Sequence, residues 1–276
     1  MGEDAVKKEF VLLAVLLIVL LSLLRASSPS VRANSMVIRV PEDYRSIQSA
    51  INAATPGTIV LVDEGVYYEQ LEVNKTLTLI GQNRETTIIV GNGTGTLISI
   101  TADNAALDGF TLMNSSYGIH LNQSHNCTIN RNVITSHSYD GILIENSSYN
   151  TVSNNIVTMC GTYISAGPLL WGGGITITSS SNNVVRDNIL TNNTVYGLDL
   201  ANSYQNQIYE NTMADSMDCG MYLYHSDENT VYHNNFLNNE LQQVRQYEMN
   251  DNFWNYGNEG NYWDDYAGLD DGSGGR

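Results

Sequence analysis

The 276 residues carry 29 acidic and 12 basic side chains, a formal net charge of −17, with 15% charged and 42% hydrophobic residues. Charge usage this far below the roughly 25% of average globular domains excludes a charge-laced helical assembly, and the apolar content is enough to fill one core, which excludes a disordered polyelectrolyte. Only three Lys occur in the whole chain, so a nucleic-acid partner is excluded too, because phosphate binding needs clustered Lys and Arg; neutral surfaces and multivalent cations remain open.

At the N-terminus Lys7 and Lys8 precede a nearly unbroken apolar run, Phe10 to Leu24, and Ser-rich sequence then leads to Val31-Arg32-Ala33. A basic start, an apolar stretch and a small-residue cleavage pattern read as a secretory signal. The same run with its flanking Ser and Ala also serves as an uncleaved membrane anchor, so residues 1–33 are a signal peptide or a tether, and either places the body outside the cytoplasm. Residues 34–57 follow as an N-terminal cap. Ile47, Ala50, Ile51 and Ala54 fall at helical spacing ahead of Pro56-Gly57, which predicts a short amphipathic helix plugging the first coil.

From residue 58 to 250 the chain repeats. One column reads Asn104, Cys127, Asn150, Asn183, Asn206 and Asn229; a second reads Gly109, Asn132, Asn155, Asn188, Asn211 and Asn234; a third reads Gly118, Gly141, Gly174, Gly197 and Gly220. All share a 23-residue period broken once by a ten-residue insertion in the coil from Asn150 to Asn182. Between the columns lie short alternating segments such as Ile129, Val152, Val185, Ile208 and Val231, too short for helices. A period in the low twenties with three strand-like pieces describes one coil of a parallel β-helix. The predicted fold is therefore all-β, a right-handed parallel β-helix of about eight coils, roughly 40 Å long at ~4.8 Å per coil. Asn suits its corners through tolerance of left-handed backbone and through amide ladders between coils. Cys127, Cys160 and Cys219 fall at different places in the repeat, so they read as buried thiols rather than a disulfide framework. Residues 251–276 form an aromatic and acidic C-terminal cap and tail.

Val40-Pro41, Ile47-Gln48, Ala50-Ile51-Asn52-Ala53-Ala54, Gly57-Thr58-Ile59 and Gly65-Val66-Tyr67-Tyr68-Glu69 resemble the opening of pectin-esterase-type β-helices. The repeats and Gly260-Asn261-Tyr262-Trp263-Asp264-Asp265-Tyr266-Ala267-Gly268 resemble the NosD-like family of exported β-helix proteins, labelled periplasmic copper-binding. That resemblance spans residues 37–271 and implies an exported β-helix with copper handling as one possible role. Members often continue into an Asp-rich calcium-type stretch, whereas this chain has Asp270-Asp271-Gly272-Ser273-Gly274, which reads first as a solvated acidic tail, calcium wanting six to eight oxygens; the cofactor expectation stays open between none, copper and calcium.

Three sets of residues are candidates for chemistry. Copper calls for converging Met, His or Cys, and Met213, Met217, Cys219 and Met221 lie within nine residues, though Met213 and Met221 occupy apolar columns that point inward. The position before the second Asn column stacks Asp187, Glu210 and His233 on successive coils, a metal-ligand candidate whose alternative is plain polar surface. The insertion brings Trp171 near turns that supply His137, Tyr139, Asp140 and Tyr196. Rings beside carboxylates suit neutral sugars, so these five residues form the predicted ligand platform, with a carbohydrate or cell-surface polymer as partner. Asp140, Asp199, Asp215 and Asp218 supply carboxylates for glycoside hydrolysis, yet none sits in a recognisable hydrolase motif, and scattered cations on an acidic body argue against lyase action on uronates. The functional expectation is a non-enzymatic surface or periplasmic carbohydrate-binding protein, with a copper-binding accessory protein or a carbohydrate-active enzyme as alternatives.

Overall fold

A computed structural model describes residues 36–161, 172–248 and 251–265. The chain divides into two units, 1–34 and 35–276; the leader segment and Trp171 lie outside the described residues.

Within the second unit the short segments stack into three parallel sheets. The first runs from Val37–Val40 through Thr128–Asn130 to Thr230–Tyr232 and has nine strands; the second runs from Gly65–Tyr67 through Val133–His137 to Tyr262–Trp263 and also has nine; the third runs from Leu71–Val73 through Tyr196–Ala201 to Gln242–Tyr247 and has eight. Each strand pairs with its equivalent one coil away, as Ile119 with Ile142 and then Ile175. The result is a parallel β-solenoid of about nine turns, one more than the periodicity predicts. The additional strands lie outside residues 58–250: Val37–Val40 ahead of Thr58–Val62 on the first sheet and Tyr262–Trp263 after Asn235–Leu237 on the second.

Alternation gives the core. Val152, Val185, Ile208 and Val231 from the first sheet, Leu190, Met213 and Phe236 from the second, and Leu198, Met221 and Leu223 from the third are fully buried. Met213 and Met221 thus pack inward among aliphatic neighbours.

The corners correct one reading of the sequence. The residues with left-handed backbone are Asn126, Tyr149, Asn182, Gln205 and Glu228 at one corner, and Arg131, Asn154, Asp187, Glu210 and His233 at another. Each directly precedes a column residue, an Asn in every case but Cys127 after Asn126, so the column Asn residues are selected not for left-handed φ but for their amides. Asn188 Nδ2–H donates to Asn211 Oδ1 at 2.9 Å, and the backbone N–H of Asn188 donates to the same oxygen at 3.0 Å. The pattern repeats from Asn132 to Asn261 on this corner and from Asn150 to Asn252 on the other. Buried backbone donors need acceptors, and a side chain carrying both a donor and an acceptor passes the bond on to the next coil.

The register also shifts at the first regular coil. Thr128 pairs with Ala106 and Asn130 with Asp108, so Gly109 and Asn104, not Asp108 and Asp103, hold the left-handed positions equivalent to Arg131 and Asn126. Ser115 pairs with His137 but Ile119 with Ile142, so that coil is one residue shorter between the second and third sheets.

Both ends are closed by local chemistry. Helix Ile47–Ala53 buries Ile47, Ala50 and Ile51 over the first coil. Glu69 accepts the N–H groups of Ile47 and Gln48, both at 2.9 Å, while Lys75 Nζ donates to the carbonyls of Ile51, Asn52 and Ala54 at 2.6–3.2 Å. A carboxylate at the positive end and an ammonium at the negative end complement the helix dipole. At the far end Tyr262–Trp263 pairs with Asn235 and Phe236 as a further strand, and Trp263 stacks on Phe236 at 4.5 Å. Asn252 and Asn261 terminate the two amide ladders, so the Gly-Asn-Tyr-Trp piece is itself a rung of the repeat.

Candidate functional site

The third sheet turns one face inward and stacks its other positions in columns. One column at the start of the strands runs Thr96, Tyr117, Asp140, Gly173, Tyr196 and the buried Cys219; three residues on, an outward column runs His120, Leu143, Thr176, Asp199, Tyr222 and Arg245. At Gly173 the backbone of the next coil packs too closely for a side chain, since a Cβ there would meet the Tyr196 carbonyl at 2.5 Å.

Asp140 is 7% exposed. Its Oδ1 accepts from Gly173 N–H at 3.0 Å and from Thr176 Oγ1 at 2.7 Å. Burial pushes its carboxyl up to about 6 against the lowering effect of these two bonds. Asp199 stands beside Thr176 in the ladder. Its Oδ1 is sealed from solvent and has no hydrogen-bond partner, although the residue as a whole stays partly exposed. Burial, then the neighbouring Asp140 charge, push it up to about 8. A carboxyl whose charged form is penalised in this way holds its proton at neutral pH.

Rings flank the two carboxyls. Tyr117 stacks on Tyr139 at 5.2 Å, and Tyr196 stacks on Tyr222 at 4.9 Å with planes 15° apart. The Tyr117 hydroxyl is raised by burial and then by Asp140, Tyr196 by burial and then by Asp199 and Asp218, and Tyr222 by burial and then by Asp199. Asp140 thus lies near Tyr117, and Asp199 near Tyr196 and Tyr222. Arg245 closes one side through both its terminal nitrogens on Asp218, at 2.8 and 2.5 Å.

The structure therefore brings together Tyr139, Asp140 and Tyr196 from the predicted platform and adds Tyr117, Thr176, Asp199 and Tyr222. Of the additions, Thr176, Asp199 and Tyr222 share one outward position two residues after the Gly column, which the repeat period alone aligns. His137 does not join them. It is 2% exposed, its Nε2–H donates to the Leu112 carbonyl at 3.2 Å, and Nδ1 lies 2.8 Å from the Ser115 hydroxyl. Burial pushes it down to about 4, so it is a neutral interior side chain. Trp171 lies outside the described residues.

Asp187, Glu210 and His233 do share one corner column, at the left-handed position of successive coils, but their side chains turn to separate neighbours. Asp187 bonds Arg186, His233 Nε2 meets Glu259 at 2.5 Å, and Glu210 is exposed. Among the described residues no three His, Cys, Asp or Glu converge as metal ligands.

Copper would want soft donors together, and the donors here do not fit it. Met213, Met221, Cys219 and His137 are buried in separate packing environments, while Met217 is exposed. Burial pushes the Cys219 and Cys160 thiols up to about 12, and Cys127, also a free thiol, is buried as well.

One cavity of about 490 Å³ lies elsewhere, at the corner between the first and second sheets, lined by Glu64, Gln82, Arg84, Gly109 and Arg131 among others. Arg131 is already paired with Asp108 at 2.7 Å, and no aromatic side chain lines this space.

Comparison with known proteins agrees with this architecture. A cell surface glycoprotein of Methanothermus fervidus is 32% identical over 129 residues, 46% of this chain and 21% of that protein, so the chain spans about a fifth of that relative's length. Among solved structures, the catalytic domain of an α-1,3-glucanase in complex with nigerose superposes with a TM-score of 0.59 at 15% identity, covering 82% of this chain and 44% of that one. A Geobacillus virus E2 protein gives 0.58 at 11% identity, covering 79% and 62%. A pectate lyase gives 0.50 at 17% identity, covering 79% and 67%. At such identities these structures share the fold. The family model described as periplasmic copper-binding protein (NosD) matches residues 47–268, and the chain belongs to the NosD family.

Proposed function

We propose that this protein is an exported carbohydrate-binding protein whose binding face is the outer surface of the eight-stranded sheet. The observation that carries this reading is the arrangement of two stacked tyrosine pairs beside Asp140 and Asp199. Sugar rings present C–H faces that pack on aromatic rings and hydroxyls that both donate and accept, so rings beside carboxyls suit them. The formal charge of −17 disfavours an anionic polymer and favours a neutral one. The basic, apolar N-terminal segment and the relative described as a cell surface glycoprotein support a location outside the cytoplasm. Among the described residues no helix is long and apolar enough to cross a membrane.

Affinity electrophoresis of residues 34–276 through gels containing neutral or anionic polysaccharides tests the reading. Retardation by a neutral polysaccharide is expected, weakened about tenfold or more by Tyr196→Ala, in line with the ~1.4 kcal/mol of a lost ring contact. Retardation by pectate or alginate alone would contradict it.

A further inference from the structure

The outer face of the second sheet differs from the other two. Its outward side chains form two columns, one running from Val66 through Val133, Ile156 and Ile189 to Tyr262, the other from Val90 through Thr135, Thr158 and Thr191 to Leu237. Neither column holds an Asp, Glu, Lys, Arg or His at any of its positions. The other faces do carry charge, Asp108 and Arg186 on the first sheet and Asp199 and Arg245 on the third. Val66, Ile189 and Tyr262 are 52%, 45% and 58% exposed, while Val133, Ile156, Thr158 and Thr191 are half-buried. On a chain with a formal charge of −17, an uncharged face running across nine strands marks an interaction surface.

Its chemistry selects the partner. Aliphatic and Thr side chains in a flat ladder lack the rings on which sugars stack, with Tyr262 at one end the exception, so a polysaccharide is a poor match. They match another β-sheet face of the same kind, which packs ~10 Å away with its side chains interdigitating. A second copy of this chain brings such a face at the same pitch. Electrostatics points the same way, because two bodies of like charge repel least where neither carries a carboxylate. The corner alongside carries Arg131, Asp187, Glu210 and His233, a polar rim of the sort that surrounds an apolar interface core. Nine strands, mostly three residues long and some five, make a face about 38 Å by 10–16 Å. Two of them pressed together bury on the order of 1,000 Å², the lower edge of what specific interfaces use.

We propose that the outer face of the second sheet is a self-association surface, on which a second copy of this chain packs face to face about a two-fold axis. A two-fold contact uses the same patch on both partners and closes on itself, so association stops at a dimer. The contact takes no charged side chain of the two columns out of water, which spares it the desolvation cost of buried ions. The inference stands apart from the carbohydrate reading and goes beyond it. Pairing through the second sheet leaves the third sheet of each copy uncovered, so the dimer offers a polysaccharide two binding faces, and a polymer long enough to reach both is held more tightly than by one.

Sedimentation velocity of residues 34–276 at about 1 to 200 µM tests it, since an interface of this size holds in the micromolar range. A concentration-dependent dimer is expected, tightening as NaCl rises from about 20 to 500 mM because salt screens the like charges of the two bodies. Ile156→Lys and Ile189→Lys each put a charge into the contact and are expected to weaken the dimer about tenfold or more. Gln207→Lys makes the same change in net charge on the exposed outer side of the first sheet and is expected to leave the dimer as it was. Ile189→Thr keeps a β-branched side chain like that of Thr212 on the next strand and decides the matter where a Lys variant fails to fold, with a smaller loss expected. A chain that stays monomeric throughout the range overturns the inference, as does a dimer indifferent to all three substitutions at Ile156 and Ile189. A monomer that instead adsorbs to insoluble cellulose or chitin, and loses that adsorption in Ile189→Lys, also overturns it and makes a neutral polymer the occupant of this face. The tyrosine face is read separately by gel retardation of Tyr196→Ala, so failure of either reading leaves the other standing.

Discussion

Asp199 and His137 show how burial sets the pH behaviour of single residues, and with opposite signs. The native Asp199 carboxyl holds its proton up to about pH 8, whereas an unfolded aspartate releases it near 3.9. Between those values the native state binds more protons, so stability falls as pH rises through the window. Asp199→Asn removes that dependence, and its melting temperature relative to wild type is expected to rise between pH 4 and 9; a constant difference would show that the carboxyl is not suppressed. His137 works the other way. The unfolded imidazole takes a proton below about 6.5 and the native one only near 4, so the native state loses up to about 3 kcal/mol as pH falls through this range. Denaturation midpoints of wild type and His137→Gln compared at pH 7 and 4.5 check it, with the wild type showing the larger loss. The sequence did not distinguish His137 from Tyr139, because both lie near the end of the same strand and strict alternation gives them the same side. The backbone separates them: Ser136 takes a left-handed φ of 60° that breaks the alternation, His137 beyond it pairs with Ser115 and is buried, and Tyr139 stacks on Tyr117.

At the scale of the element, the ladders and caps give the coils one register. Asn211 accepts the N–H and the amide of Asn188 and donates to Asn234 and to the Val185 carbonyl. Asn211→Ala strands the buried backbone N–H of Asn188, whose amide keeps the Val152 and Arg186 carbonyls, so a loss of about 1–3 kcal/mol is expected in urea denaturation; a change below ~1 kcal/mol would mean that water replaces the ladder. Glu69→Ala, which uncovers two helix N–H groups, is expected to cost about 1 kcal/mol, read in the same experiment. These ladders were legible because identical Asn recurring at one period can only bond to itself along the stack. The left-handed corner residues were not, because Tyr149, Gln205, Glu210 and His233 are not residue types that announce positive φ. Here the stacked coils impose the conformation on whatever residue precedes the Asn.

Across the whole body, the inside of the solenoid is uniform while the outside differs from face to face. Coil after coil contributes the same apolar columns, joined from Asn132 onward by the Asn ladders, so periodicity exposes the fold readily. The binding face is the reverse case: Tyr117, Asp140, Thr176, Asp199 and Tyr222 come from four strands and a turn spread over more than a hundred residues, and no local motif joins them. Only the ladder register sets them side by side. The candidate metal column illustrates the limit of register, since shared position did not turn Asp187, Glu210 and His233 toward one another. The most direct measurement is a crystal structure of residues 34–276 soaked with oligosaccharides of whichever neutral glycan retards the protein. Sugar rings stacked on Tyr117–Tyr139 or Tyr196–Tyr222, with a hydroxyl or glycosidic oxygen within hydrogen-bond distance of Asp199, are the expected result. A saccharide bound only in the cavity beside Arg84 and Arg131, with the tyrosine face empty, would contradict the account.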